Sequence, residues 1–317
     1  MKKLLLALAS ALYLSLAQAQ TFPSKPIRLI VPYPPGGAAD LNARLVSEPM
    51  AARLGQPVVV ENVTGATGNL ALERVAKSPP DGYTMLLASA VNTSNSAARP
   101  ENSIDLLSNF RPVGKIGENV FALVVPPQLG VKSVAELVAL AKAKPGALSY
   151  GSAGIGSSHH LVSEMFLAAA GIDAIHVPFR GEGAAIPELI AGRISFSFLV
   201  TVRPLIERGQ LTALATSAIG AWPPLKGIAP LSSLGYPTFQ QLAWNGLMVP
   251  AATPDEIVRK LNEALNNALK TERVRSALDS VAFQPAEGSP EDMANQIRSD
   301  LQSFRQVIVR RKLKMSE

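Results

Sequence analysis

The fold class of this chain is indicated most clearly by residues 27–40, Ile-Arg-Leu-Ile-Val-Pro-Tyr-Pro-Pro-Gly-Gly-Ala-Ala-Asp. The first five residues form an apolar, β-branched run typical of a buried strand, and the Pro-Pro-Gly-Gly sequence after Tyr33 interrupts it. Leu41, Leu45 and Val46 then recur at helical spacing, with Asp40 in the first turn. A strand that passes through a glycine turn into a helix is the unit from which parallel α/β sheets are built.

The same unit recurs before residue 90, and a second set of strands and helices follows it. Predicted strands lie at 58–60, 83–88, 120–125, 148–150, 175–177, 194–198, 214–216 and 246–249. No flexible linker separates the two sets, so we expect two lobes joined by strands that run from one to the other. The predicted boundaries are 20–121 for the first part of lobe 1, 122–245 for lobe 2, and 246–317 for the return into lobe 1.

Residues 1–19 have the features of a signal peptide. Lys2 and Lys3 precede an apolar run from Leu4 to Leu16, which is shorter than the ~20 residues that cross a bilayer. Ala17-Gln18-Ala19 is a cleavage sequence of the small-x-small type. We therefore predict cleavage after Ala19 and export to the periplasm.

The composition excludes several classes of protein. The 317-residue chain has no cysteine and three histidines, so it forms no disulfide and offers few transition-metal ligands. We expect neither a cofactor nor a metal site. The signal peptide holds two of the 30 basic residues, which leaves 28 against 24 acidic residues. This small excess of positive charge favours the binding of anionic small molecules. The basic run 310–312 is expected to neutralise the negative end of a helix rather than bind nucleic acid.

Three loops are candidate ligand contacts, because ligands of open α/β sheets bind beyond the carboxyl ends of strands, near helix N-termini. In the first, two glycines let the backbone approach a ligand and Asp40 is expected to hold the loop; a plain tight turn is the alternative. The second, at 88–93, is equally compatible with a helix cap. The third, at 151–159, is rich in glycine and hydroxyl groups that suit a small anion. The predicted contacts in these loops are Tyr33, Pro35, Gly36, Gly37, Ala38, Asp40, Ser89, Asn92, Ser152, Ala153, Gly156, Ser157, Ser158 and His159.

A nucleophilic hydrolase is an alternative function, since Ser157, Ser158, His159 and His160 are consecutive. Consecutive residues of a helix do not face one another, and a Ser–His pair also needs an orienting acid. The sequence lacks the Gly-x-Ser-x-Gly, Walker A and His-Glu-x-x-His motifs. We therefore predict a binding protein and not an enzyme.

Seven segments, at 25–40, 54–62, 80–84, 141–146, 150–157, 176–181 and 244–254, follow one another in the order of one known family. Together they resemble the Bug family, the periplasmic solute-binding proteins of tripartite tricarboxylate transporters. The resemblance implies a two-lobed α/β fold of the type II-like periplasmic-binding kind, in which each lobe is a mainly parallel sheet flanked by helices. It also implies that the lobes close by a hinge over a small carboxylate in the cleft between them, without catalysis.

Two residues of this sequence bear on the identity of the ligand that the resemblance implies. Family members commonly have an aspartate near the cleft after the strand at 194–198, where this chain has Leu199. Leu199 is therefore a further predicted contact, and it favours an apolar or aromatic acid over an amino acid. Arg180 is expected to pair with Glu182 or Glu188, and contact with a ligand carboxylate is the alternative.

The sequence therefore predicts a periplasmic protein that captures a small organic carboxylate and delivers it to membrane transporter subunits through transient contact. We expect a monomer that binds no nucleic acid. A binding protein that reports the same acid to a membrane sensor is the alternative with the same fold, and a periplasmic serine hydrolase is the alternative from another class.

Overall fold

The computed structural model of the chain describes residues 22–65, 68–102 and 104–315. The predicted signal peptide at 1–19 lies outside these residues. Within the described part, none of the helices is both long enough and apolar enough to cross a membrane.

The chain folds into two sheets flanked by helices. The strands are β1 (Ile27–Val31), β2 (Val58–Asn62), β3 (Thr84–Ser89), β4 (Phe110–Val120), β5 (Ala122–Val125), β6 (Ser149–Ser152), β7 (Ile175–Pro178), β8 (Phe196–Leu199), β9 (Thr212–Thr216), β10 (Leu242–Pro250) and β11 (Gln284–Pro285). The helices are α1 (Ala38–Leu54), α2 (Asn69–Ala76), α3 (Ala90–Ala98), α4 (Leu106–Asn109), α5 (Val134–Ala143), α6 (Ser158–Ala170), α7 (Glu182–Ile190), α8 (Arg203–Glu207), α9 (Asp255–Leu269), α10 (Glu272–Ser280) and α11 (Pro290–Arg311).

The two sheets correspond to two lobes, and both are mixed. Lobe 1 has the strand order β11-β4-β10-β3-β1-β2, and lobe 2 has the order β7-β6-β8-β5-β9. The pairs β1–β2, β1–β3, β6–β7 and β6–β8 are parallel, as the strand–turn–helix units predict. Strands β4, β5, β10 and β11 pair antiparallel with their neighbours. The sheets are therefore less parallel than expected.

The chain passes between the sheets at two places. Strand β4 ends at Val120 in lobe 1 and β5 begins at Ala122 in lobe 2, so Phe121 is the crossing residue. The return strand β10 begins at Leu242, opposite Val120, four residues earlier than the predicted strand. At the crossing, the Phe121 amide donates to Ser217 Oγ at 2.9 Å, and Ser217 Oγ donates to the Gln241 carbonyl just before β10, so this hydroxyl holds the two passages together.

Helix α11 joins the lobes at a third place. It packs on β4 and α3 of lobe 1 and on α6 of lobe 2. Arg311, in its last turn, donates to Glu164 Oε2 and to Asp173 Oδ1, both at 2.8 Å. The basic run at 310–312 was expected to act on its own helix end, but Arg311 instead ties α11 to the buried carboxylate of lobe 2. One apolar cluster accordingly extends from Leu86 and Trp244 in lobe 1 to Phe166 and Phe198 in lobe 2.

Candidate functional site

The first two predicted loops lie at one edge of the lobe 1 sheet. They follow the carboxyl ends of the adjacent parallel strands β1 and β3. The hydroxyls of Tyr33 and Ser89 are 2.6 Å apart and hold the loops to one another, and burial raises the pKa of Tyr33 to about 12. Tyr33 therefore stays neutral, and its hydroxyl links the two loops by a hydrogen bond.

Asp40 organises the first loop, as the sequence predicts. Its carboxylate accepts from the Gly36 amide at 2.9 Å, from Arg44 Nε at 3.0 Å and from Asn62 Nδ2 at 2.8 Å. Burial by itself would raise the pKa of Asp40, but these three donors together hold it below its usual value. Asp40 is 2% exposed, so it shapes the loop from beneath and does not face a ligand.

The N-terminus of α1 is the open part of this loop. Its N-cap residue, Gly37, offers no side-chain acceptor to the amides of the first turn. The first amides of a helix have no partner within the helix, so those at the start of α1 are available to an anion. Pro35, Gly36, Gly37 and Ala38 are all exposed. Of the predicted contacts in lobe 1, these four have the geometry of a ligand surface.

The side chains of Ser89 and Asn92 bond mainly within the protein. They form a capping box at the start of α3, in which the Ser89 amide donates to Asn92 Oδ1 at 2.9 Å. Of the two roles that the sequence left open, the structure shows the helix cap. The Nδ2 group of Asn92 has no hydrogen bond to the described residues and lies 3.7 Å from where a side chain on Gly68 would begin. This amide and the Thr93 hydroxyl, which is buried without a partner in the described residues, are the remaining side-chain donors of the second loop.

The glycine-rich loop of lobe 2 follows β6 and is held by its own hydroxyls. Ser152 Oγ lies 2.6 Å from His176 Nε2 and accepts from the Gly154 amide, while Ser157 Oγ donates to the Gly154 carbonyl. Ser157 is also the N-cap of α6, since its Oγ accepts from the His160 amide at 3.2 Å. Ala153 is half-buried at the turn. This bonding fixes the loop that leads into the N-terminus of α6.

His159 and Glu182 form a partly buried pair beside this loop. Their side chains are 2.6 Å apart, and Glu182 also accepts from the amides of Val200 and Thr201 at 2.9 and 2.8 Å. Burial alone would raise the pKa of Glu182, but these hydrogen bonds lower it, so the carboxylate stays charged. His159 Nδ1 is buried and has no partner in the described residues, while its ring packs edge-on against Phe121 at the crossing. Glu182, which the sequence marked only as a partner for Arg180, is thus part of the site region.

The two lobes meet where the glycine loop reaches α3. A side chain added to Gly156 would begin 2.9 Å from the Ala98 Cβ and 3.9 Å from Arg99 Nη1. Helix α3 begins at the second loop of lobe 1 and ends against the third loop, so it links these two predicted segments. Gly156 is therefore a packing contact between lobes, and Ser158, which is 2% exposed, is buried at the start of α6.

Leu199 is a wrong prediction of a ligand contact. It is the last residue of β8, is 1% exposed, and packs with Val120, Ala122 and Val202 in an apolar cluster of lobe 2. All four residues of β8 are buried, so Leu199 is shielded from solvent whichever face of the strand it occupies. Leu199 therefore gives no preference for an apolar or aromatic acid.

The expected pairing of Arg180 is also wrong. Glu182 bonds to His159, and Glu188 bonds to Arg193 Nη2 at 2.7 Å. Arg180 is exposed, directly follows the residue whose amide bonds to Ser152, and has no partner in the described part of the chain. Sequence alone could not show this, because the competing partners come from α6 and from the end of α7.

The arrangement does not form a nucleophile–base pair from Ser157, Ser158 and His159. Ser157 bonds only to the backbone, and His159 bonds to Glu182. Ser152 does contact His176, but it is 1% exposed and thus closed to a substrate. In residues 22–65, 68–102 and 104–315, no three His, Asp or Glu side chains are grouped so that they could hold a metal.

Comparison of the sequence with known proteins assigns the chain to a family. Residues 42–313 match the model of the tripartite tricarboxylate transporter family receptor, TctC. The protein BugT of Bordetella pertussis is 32% identical over 92% of this chain and 90% of its own length.

Solved structures agree with this assignment. An adipate-bound protein of R. palustris is 30% identical, with a TM-score of 0.77 over 90% of this chain and 97% of that one. MatC from Rhodopseudomonas palustris, with bound malate, is 29% identical, with a TM-score of 0.75 over 90% of this chain and 100% of that one. Both comparisons confirm the two-lobed α/β fold. The chain belongs to the TctC family and is a periplasmic solute-binding protein of the Bug type.

Proposed function

We propose that this protein binds a small organic carboxylate between its lobes and delivers it to the membrane subunits of a tripartite tricarboxylate transporter. The proposal includes export with cleavage after Ala19, a monomeric protein, and release of the acid without chemical conversion. Support for the ligand class comes from the adipate and malate bound to the two related proteins.

The observation that carries the proposal is the uncapped, exposed N-terminus of α1 at the edge of the lobe 1 sheet. A helix N-terminus carries roughly half a positive charge and stabilises a nearby anion by about 0.3–1 kcal/mol at an exposed site, and by up to about 2 kcal/mol where water is excluded. Closure of lobe 2 over this terminus would exclude that water. The carboxylate thereby favours the closed state, which is the state that a transporter can recognise.

The hinge in this proposal is the pair of passages at Phe121 and Leu242. Asn119 Nδ2, just before the crossing, is 3.4 Å from the Val200 carbonyl of lobe 2. Glu182 accepts from the Val200 amide, so the hinge and the His159–Glu182 pair share one residue. We propose lobe boundaries at 121/122 and 241/242 on this basis, because the boundary predicted from the sequence, 245/246, falls within β10 of the lobe 1 sheet.

A thermal-shift screen followed by calorimetric titration tests the ligand class. The exported protein is first unfolded and refolded to remove any acid that co-purifies, and is then mixed with malate, adipate, citrate, glutamate, benzoate and nicotinate. An acid at 100 times its Kd adds about 2.7 kcal/mol to stability, which raises Tm by about 5 °C or more. A shift with one or more acids supports the proposal. No shift and no heat with any of the six would contradict it.

Delivery needs a separate test. Cells that lack this protein should lose uptake of the radiolabelled acid that binds, and the gene on a plasmid should restore it. Unchanged uptake in the deletion strain would refute the transport role.

A further inference from the structure

A groove of about 640 Å³ lies on lobe 2, beside the last strand of its sheet. It is lined by Ala213 and Leu214 of β9, by α5 and the residues before it, and by the segment 227–236. None of its lining residues belongs to the three predicted ligand loops. The groove is therefore separate from the site proposed for the acid.

The backbone of β9 is open along most of its outer edge. Strand β9 ends the strand order of the lobe 2 sheet and pairs with β5 alone. On the other side, the Thr216 amide donates to the Ala229 carbonyl at 3.0 Å, and no further backbone hydrogen bond of β9 forms there within the described residues. An open edge of this kind can bond an extended peptide as an additional strand.

The charged residues that line the groove are lysines. Lys132 lies just before α5 and Lys142 lies in its last turn, and neither ammonium group has an ion pair within the described residues. Glu136, the nearest acid in sequence to Lys132, is not a lining residue, and its carboxylate accepts from the Lys132 amide at 2.8 Å. Two unpaired cations without a lining acid attract a partner that carries negative charge.

The rest of the lining is mainly apolar. Val138 and Ile228 are half-buried, and Leu234 is 41% exposed. Tyr236 is also half-buried, and its hydroxyl makes no hydrogen bond in the part of the chain that the structure describes. These side chains can pack against the apolar residues of a partner, while the hydroxyl can donate to a carboxylate.

A second groove, of about 600 Å³, shares Tyr236 with the first and extends the surface to α11. Met165 and Phe239 line it, and Arg310 is the charged residue in its lining. Arg310 donates to the Ala168 carbonyl at 3.5 Å and has no ion pair within the described residues. The two grooves together are thus lined by three cations and by no acidic side chain.

We propose that the first groove docks an extended, acidic segment of a membrane subunit of the transporter. The segment adds to the open edge of β9 and places its carboxylates beside Lys132 and Lys142. This inference rests on the proposed function and names the surface through which delivery takes place.

Two other occupants fit the observations less well. A second copy of this chain would pair the same surface with itself in a two-fold dimer and bring the lysines of both copies together. A flat anionic membrane would attract the lysines but would leave the backbone edge within the groove without partners.

Charge reversal tests the groove. The double variant Lys132→Glu/Lys142→Glu is expressed in cells that lack the native protein, with Lys144→Glu/Arg208→Glu as the matched control. The control makes the same change of net charge at exposed lobe 2 residues that line neither groove and have no ion pair within the described residues. Uptake of the tightest-binding acid of the screen, radiolabelled, is measured at equal amounts of periplasmic protein, and calorimetry gives the Kd of each purified variant for that acid.

Photo-crosslinking identifies the occupant. The photoreactive residue p-benzoylphenylalanine replaces Ala139, which is exposed on α5 and lines the groove. In the control it replaces Ala143, which is exposed on the same helix but does not line the groove. Mass spectrometry of the adducts formed in intact cells identifies the joined chain and the joined segment.

We expect the groove variant to lower uptake at least about tenfold while its Kd stays within about twofold of the wild type, and the control to match the wild type in both. Ala139, and not Ala143, should crosslink to an acidic segment of a transporter membrane subunit. If the groove variant supports uptake as the wild type does, or if Ala139 joins a second copy, a lipid or nothing, the docking surface is refuted while the proposed function stands. A groove variant that binds the acid more than about tenfold more weakly would also refute it, because the groove would then act on the cleft. If the wild type itself does not restore uptake, delivery and this docking surface both fail.

Discussion

Replacement of Gly37 by valine separates ligand binding from folding. Gly37 has φ −74°, which any residue adopts, and a Cβ added there would meet only the Pro34 carbonyl oxygen, at an ordinary 3.6 Å. The backbone therefore accepts a side chain. Valine is, however, a poorer N-cap than glycine, so we expect α1 to lose up to about 1 kcal/mol of stability.

The effect on binding should be larger. A branched side chain at the N-cap stands in front of the first-turn amides that we propose as the carboxylate site. Loss of one hydrogen bond to a charged group costs about 1.5–3 kcal/mol, which corresponds to a rise in Kd of roughly 10- to 150-fold. This change exceeds what a small loss of folding stability could cause, because the protein stays folded at the temperature of the titration.

The assay is calorimetric titration of the acid found in the screen, with urea unfolding of the free protein measured alongside. Gly220→Val is the control, because Gly220 is exposed, has no atom within 4 Å of an added Cβ, and lies in the segment after β9. We expect the control to bind the acid as the wild type does. A Kd for Gly37→Val within twofold of the wild type would refute the assignment of the α1 N-terminus as the carboxylate site.

Three further predictions concern stability. Ser157→Ala removes both the α6 N-cap and the hydrogen bond to the Gly154 carbonyl, so the free energy of unfolding in urea should fall by about 1 kcal/mol even without ligand. An unchanged value would show that this N-cap does not stabilise the protein in solution. Burial lowers the pKa of His160 and His176 from 6.5 to about 4, so as pH drops through this range the unfolded state binds two protons that the folded state does not. Burial also raises the pKa of Asp300 to about 6, which offsets one of these protons, so the free energy of unfolding should fall by about 1.4 kcal/mol per pH unit between pH 6 and 4; a rise in stability over that range would contradict the burial of the two rings. Arg311→Met leaves Glu164, which is 5% exposed, with Tyr150 as its remaining partner, so the free energy of unfolding should fall by about 3 kcal/mol. Adding Glu164→Gln to this variant should recover part of the loss. No recovery would show that the buried charge of Glu164 does not cause the loss.

The sequence predicts best what depends on neighbours along the chain. The helix at 158–170 follows from its N-cap serine and its apolar spacing, and the role of Asp40 follows from a short carboxylate placed four residues after a glycine. The helix at 134–143 likewise follows from Ser133, whose Oγ accepts from the Glu136 amide at 3.2 Å. In each case the partners are within four residues of each other.

The features that the sequence did not predict depend on residues far apart in the chain. Tyr33 bonds to Ser89 across 56 residues, and Arg311 bonds to Glu164 across 147. The unpaired state of Arg180 depends on His159 binding Glu182 first, which only the packing of α6 against α7 can decide. The burial of Leu199 depends on Val120 and Ala122, which lie more than 70 residues earlier in the chain and pack against it.

A crystal structure of the protein with its bound acid would locate the carboxylate site. We expect one carboxylate within hydrogen-bond distance of the amides at 38–40, with the glycine loop at 152–157 closed over the molecule. The structure also has a surface groove of about 640 Å³ in lobe 2, between α5 and residues 227–236. An acid bound in that groove, or anywhere away from the N-terminus of α1, would contradict the account.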